Sequence, residues 1–153
     1  MSGYHLAQVN VAIFRRPKDD PVNKDFIDAL DRVNAAADAA PGFVWRLQDE
    51  SGNALDVPAG SSVDPNLVVN LSVWEDVESL RNFVYRQLDH VAVLKRREEW
   101  FDSTVSRMAL WWIPQGHRPD PAEAIARVRF LEKYGPKAKA FTFQDVFAPP
   151  DSG

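Results

Sequence analysis

Gln8, Asn10, Arg46, Gln48, Asn70, Ser72 and Trp74 are the residues whose types and spacing point to chemistry. Gln8 and Asn10 stand two apart, as do Arg46 and Gln48, and as do Asn70, Ser72 and Trp74 in turn. On an extended chain that spacing puts side chains on one face of a strand. Amides, a hydroxyl, a guanidinium and an indole on a common face can hold a small planar molecule. The Trp74 indole can stack on it, Asn70 can hold a substrate oxygen, and Arg46 can neutralise a developing oxyanion. His90 is the best acid or base, because imidazole titrates near neutrality. Tyr85 and Trp112 are further aromatic groups for the same ligand. Each residue also has a plainer role open to it. Trp74 can be core, Asn70 can cap backbone, Arg46 can pair with an acid such as Asp49, and His90 can sit on the surface where a helix starts. The whole polar face can simply meet solvent.

Other chemistries lack their residues. The chain has no cysteine, which removes disulfides, thiolate metal sites and cysteine nucleophiles. Its three histidines, His5, His90 and His117, are scattered, and no His-Glu pattern of a zinc hydrolase is present, so no metal site is expected. His5 falls among apolar positions and is expected as a satisfied core residue, whereas His117 could rim a pocket. Neither a glycine-rich phosphate loop nor a serine elbow occurs. Net charge is -4, and the one dense basic run, Lys95-Arg96-Arg97, is followed at once by Glu98-Glu99. No nucleic-acid partner is therefore expected. No apolar run approaches the roughly 18 residues of a membrane span, and none of signal-peptide type opens the chain. A cytoplasmic location is the expectation, consistent with the absence of cysteine.

The elements that must position these groups follow from periodicity. Tyr4 to Phe14 alternates as a strand, with Ala7, Val9, Val11 and Ile13 on its dry face. Asp19-Asp20-Pro21 opens a helix with a stripe of Phe26, Ile27, Leu30, Val33 and Ala37, closed by Pro41-Gly42. Phe43 to Gln48 is a second strand, with Phe43, Trp45 and Leu47 assigned to one face. After a polar stretch from Glu50 to Pro65, Leu67 to Trp74 is a third. A helix from about Glu75 turns Val77, Leu80, Val84 and Leu88 inward, and Asp89 can cap a further helical segment. Val105 to Ile113 is a fourth strand. Asp120-Pro121-Ala122-Glu123 opens a last helix that stops at Tyr134-Gly135-Pro136, and Ala140 to Phe143 is a short terminal strand. With 153 residues, one domain over residues 1–147 is expected, with a frayed tail at 148–153. The order β-α-β-β-α-β plus a C-terminal helix and strand is an α+β, ferredoxin-like pattern. Its sheet carries large groups on both faces, so a homodimer formed through the face opposite the helices is expected.

Several runs also carry a resemblance. Tyr4-His5-Leu6-Ala7-Gln8-Val9-Asn10, Pro41 to Gln48, Asn70-Leu71-Ser72-Val73-Trp74-Glu75, Glu99-Trp100-Phe101, Leu110 to Pro114 and Ala140 to Phe143 resemble domain-of-unknown-function family 3291. The resemblance implies the dimeric α/β-barrel fold and supplies no activity. The wider superfamily includes cofactor-independent antibiotic-biosynthesis monooxygenases, in which an Asn and a Trp four residues apart line the pocket. Asn70 and Trp74 match that spacing. It also includes heme-degrading monooxygenases, whose Asn, Trp and His set resembles Asn10, Trp74 and His90.

Three functions follow as expectations. The first is a cofactor-independent monooxygenase acting on an aromatic or phenolic molecule. Trp74 would stack, His90 would be the base, and Arg46 with Asn70 would hold the anion, while Gln8, Asn10, Tyr85 and Trp112 complete the contacts. The second is a noncatalytic ligand-binding or structural dimer. The third is heme binding or degradation with His90 as axial ligand. Purified protein is predicted to be colourless. In a hemin titration followed at the Soret band, no saturable shift that His90→Ala abolishes is expected; such a shift at one equivalent per chain would put heme first.

Overall fold

The computed structural model describes residues 3–16, 20–47, 67–86, 100 and 107–150. β1 (Tyr4–Ile13), α1 (Lys24–Asp38), β2 (Phe43–Arg46), β3 (Leu67–Trp74), α2 (Val77–Arg86), β4 (Arg107–Pro114) and α3 (Pro121–Tyr134) follow in order. The strands form one antiparallel sheet in the order β2-β3-β1-β4. With α1 and α2 as the crossovers, that is the ferredoxin-like arrangement. The sequence places Leu88, Asp89 and the helical segment after it, along with Gln48 and the Glu50–Pro65 stretch, outside the described residues.

Local chemistry sets the element ends. Asp20 accepts from the Val22 amide and opens a single 3-10 turn, Pro21–Asn23, so α1 starts only at Lys24. α3 is capped by Asp120, which accepts from the Glu123 amide at 2.8 Å, with Pro121 in the first turn. Gly135 ends it at φ 75, and its amide donates to the Leu131 carbonyl. Gly42, at φ 83, turns the chain from α1 into β2, and a Cβ there would run into Ser79.

One sheet face is aliphatic. Ala7, Val9, Val11, Val69, Leu71, Val73, Ala109, Trp111 and Ile113 are buried there, with Trp45 and Leu47 alongside. α3 lies over it, contributing Ala124 and Val128, with Ile125 and Leu131 partly buried. Alternation alone leads to a partner subunit over this face, but α3 supplies cover from within the chain. The physical reason is that α3 follows β4 through a short turn at the sheet end, where Gly116 takes φ 91, and doubles back across the strands.

The opposite face carries the polar groups and lies under α1 and α2. Toward the β4 side it is closed by Phe141, Phe143 and Phe147, which pack with Leu6, Leu110 and Trp112. The terminal strand expected at Ala140–Phe143 reduces to a bridge: Leu110 and Phe141 exchange both backbone hydrogen bonds, each at 2.8 Å. A third apolar group, Phe14, Phe26, Leu30 and Trp100, closes the far end of β1.

β2 departs from simple alternation. Phe43 pairs with Trp74 and Trp45 with Val73, so the register shifts by one between them. This bulge sends Phe43 to the α1–α2 face and leaves Trp45 and Leu47 on the α3 face, correcting the expectation that all three share a side. Arg46, opposite Ser72, stays with the polar groups.

Leu71 is 2 % exposed at the centre of the sheet, beneath α3. Leu71→Ala is expected to cost about 2–5 kcal/mol, through lost burial and the cavity left behind. A denaturant unfolding series measures it.

Candidate functional site

Pairing of β1 with β3 brings the amides together. Gln8 lies opposite Ser72, Asn10 opposite Asn70, and Leu6 opposite Trp74. Each pair therefore presents its side chains on the same face, toward α1 and α2. Trp74 Nε1 donates to Ser72 Oγ at 2.9 Å, and Gln8 Nε2 donates to the same oxygen at 2.7 Å. Gln8 Nε2 also donates to Asn70 Oδ1 at 2.9 Å, and Gln8 Oε1 accepts from Asn10 Nδ2 at 3.0 Å. The chain of bonds runs from an indole that is 1 % exposed, through buried Gln8 and Ser72, to exposed Asn10.

The network has a polarity. Both Nε2 hydrogens of Gln8 are committed, and Ser72 Oγ already accepts twice. The Ser72 hydroxyl hydrogen is left to donate, and among the described residues Asn70 Nδ2 has no acceptor. Among the described residues the oxygens of Gln8, Asn70 and Ser72 accept within the network and donors remain on Asn70 and Ser72, while Asn10 Oδ1, at the exposed end, is an acceptor without a donor.

That cleft lies between the sheet and the two helices and holds about 70 Å³ for water-sized groups. Gln8, Asn10, Asn70, Ser72, Trp74 and Arg46 line the sheet side; Leu30, Val33, Asn34 and Ala37 of α1 and Leu80, Phe83 and Val84 of α2 line the other. Apolar walls around a few placed polar groups are the ordinary make-up of a small-molecule site. Trp74 meets Phe43 edge-on at 5.4 Å and Phe83 at 5.2 Å, so much of its ring is already packed. Arg46 is held by Asp38 at the end of α1, with Nε to Oδ1 at 2.7 Å and a second bond from its terminal nitrogen to Oδ2 at 3.2 Å.

Five of the residues singled out from sequence therefore meet in this cleft along with Trp74: Gln8, Asn10, Arg46 and Asn70 as named contacts, and Ser72 as the hub that spacing placed beside them. Tyr85 does not join them. It is 62 % exposed and packs near Phe143 at 6.2 Å; its neighbours Phe83 and Val84 take the inward positions on α2. Trp112 shares the sheet face but not the cleft. β4 is the far edge strand, and there the Trp112 indole donates to the Phe147 carbonyl at 2.8 Å beneath the C-terminal segment. His90 lies outside the described residues, as does Asp49, the acid considered for Arg46. Among the described residues Asp38 is an acid paired with Arg46. Sequence reading also passed over Asn34, whose only signal is an amide within the apolar stripe of α1. His5 is half-buried, and its Nδ1 has no hydrogen-bond partner among the described residues, so it is not the satisfied core histidine expected. His117 pairs through Nε2 with Glu123 at 2.7 Å, and Glu123 also accepts from Trp111 Nε1 at 3.0 Å. Trp111 belongs to the α3 face, so this histidine does not rim the cleft.

Among the described residues lining the cleft there is no His, Met, Cys or Tyr that could ligate a heme iron. No described group of three or more His, Cys, Asp or Glu could hold a metal ion, and no described helix is long and apolar enough to cross a membrane.

Ser72 is buried and takes two donors, so Ser72→Ala leaves the Trp74 indole and one Gln8 hydrogen without their acceptor. A loss of about 1–3 kcal/mol is expected. Trp74→Phe should couple to it, because one bond is shared, and a double-mutant cycle in urea reads that coupling.

Comparison with known proteins adds a family and a set of shapes. The model of a family described as "Domain of unknown function (DUF3291)" matches residues 5–153. No curated protein matches the sequence. Among solved structures, the chain is similar to protein PA3566 of Pseudomonas aeruginosa, at 11% identity and TM-score 0.49, covering 76% of this chain and 99% of that one. It is similar to SnoaB, a cofactor-independent oxygenase from Streptomyces nogalater, at 17% identity and TM-score 0.48, over 76% and 98% of the two chains. A dabb family protein with a ferredoxin-like fold from Mesorhizobium loti gives 13% and 0.47, over 73% and 99%. The fold assignment rests on the strand order, and these likenesses establish no activity.

Proposed function

The chain belongs to the DUF3291 family, and from that premise we propose that it is a small-molecule enzyme of the cofactor-independent oxygenase kind, with its substrate in the cleft between the sheet and α1 and α2. The observation that carries this is the polarity of the Gln8 network. The oxygens of Gln8, Asn70 and Ser72 accept within it, and donors on Asn70 and Ser72 are left over beside the apolar walls, with the Asn10 oxygen free only at the exposed end. A ligand that suits it brings an acceptor oxygen, such as a phenol or a conjugated ketone, and an apolar body for Leu30, Val33, Leu80 and Phe83.

Oxygenation without a cofactor asks little of the protein. The substrate's own anion reduces oxygen; the site must orient the ring, accept a proton and stabilise the negative oxygen. Fixed donors at that oxygen act without reorganisation during the reaction. Asn70 and Ser72 fill this role, Arg46 lies at the same cleft, and His90 is the base assigned from sequence.

Oxygen uptake with a panel of phenols and anthrones tests the reading. Wild type is expected to consume oxygen with at least one of them. Asn70→Ala should lower kcat by about 10²–10³-fold, the range for loss of one oxyanion donor, while leaving the fold intact by circular dichroism. Saturable binding with no uptake across the panel would leave a passive binder.

A further inference from the structure

Arg46 is the only charged residue among the described residues lining the cleft, and its charge is already matched. Asp38 grips it with two bonds, in the fork geometry that suits guanidinium and carboxylate. The Arg46 side chain is 13 % exposed and that of Asp38 48 %, so the cation faces inward while the carboxylate reaches water. An ion pair that open adds little to stability. Its consequence is electrostatic: the cleft carries amides, a hydroxyl, an indole and a compensated guanidinium, and no uncompensated charge among the described residues. An anion entering it must displace Asp38 from Arg46 or stand beside a like charge. A neutral ligand meets neither obstacle and keeps every donor described above.

We infer that Asp38 is a positioning residue that holds Arg46 at the cleft and makes the cleft select uncharged over anionic ligands. This rests on the cleft being the small-molecule site, and it refines the substrate class: the molecule enters in its protonated, neutral form and becomes an anion only once bound. The sequence conceals the pair. Asp38 and Arg46 are eight residues apart on two different elements, joined only because the Gly42 turn folds β2 back along the end of α1.

Benzamide and benzoate are suitable probes, since they share shape and differ in charge at pH 7. Binding to the full chain is followed by NMR shifts of the Trp74 indole and the Asn70 side-chain amide, which report on this cleft. Wild type should favour benzamide. Asp38→Asn should shift the ratio toward benzoate by about tenfold or more, by removing the carboxylate that forks onto Arg46. Arg46→Gln should move it the other way, because Asp38 then stands alone, and the double variant should return near the wild-type ratio. A purely structural role for Asp38 would not produce opposite shifts that cancel. Should Asp38→Asn fail to fold, the Arg46→Gln ratio decides alone. If the probes bind but wild type favours benzoate, or the ratio ignores these substitutions, the inference is overturned while the cleft remains a binding site. If neither probe moves those resonances in any variant, the binding reading falls and takes this inference with it.

Discussion

β1 and β3 pair from Leu6 opposite Trp74 to Ile13 opposite Leu67, and this register decides what the cleft contains. Antiparallel pairing puts directly opposed side chains on one face, so a slip by one residue would set amides against valines on both strands. The apolar half of each strand is what prevents it. Ala7, Val9, Val69, Leu71 and Val73 are buried under α3, and none could be turned out without losing that burial. The aliphatic face thus fixes the geometry of the polar one, although the two share no side-chain contact through the sheet.

α3 has a second effect. A ferredoxin-like sheet with helices on one side leaves the other to be covered. Here Ala124 and Val128 approach the strands closely because they are small, and the larger Ile125 and Leu131 pack at the sides. Glu123, in the first turn of the helix, ties it to the sheet through the Trp111 indole and to the preceding loop through His117. The helix is joined to the strands by a polar clasp as well as by burial.

Much of this was legible in the sequence. Strict alternation in β1 and β3 identified both faces, and the cap and stop residues around α3 marked that helix to within a residue or two. Gln8, Asn10, Asn70, Ser72 and Trp74 could be grouped because side chains two apart on a strand need no tertiary information to share a face. What failed needed such information. Trp112 has the right parity but the wrong strand position, and strand order is a property of topology. Tyr85 sits one residue from the inward Val84, a difference of about 100° around a helix, which boundary uncertainty hides. The pairing of Arg46 with Asp38 depends on the chain reversal that brings the end of α1 beside β2, which spacing alone does not show. His5 shows the limit on the other side: an apolar context predicted its burial correctly in part, yet said nothing about what its Nδ1 would bond.

The bulge in β2 places the cleft's cation under the control of chain length. From Phe43 to Arg46 the strand carries one residue more than its ladder uses, and Val44, 40 % exposed, stands where the register slips. Arg46 faces α1 and α2 because Val44 is left out of the ladder. Were Val44 drawn into the ladder with Phe43 still opposite Trp74, Arg46 would turn into the aliphatic layer beneath α3, where a guanidinium has no water; excising Val44 would instead give regular pairing that keeps Phe43 opposite Trp74, Trp45 opposite Val73 and Arg46 opposite Ser72. What the arrangement requires is that residue 44 stay unpaired, whatever its side chain. Related chains could then lose position 44 outright, a gap of one residue, but could not absorb it into the ladder without turning Arg46 away from the cleft.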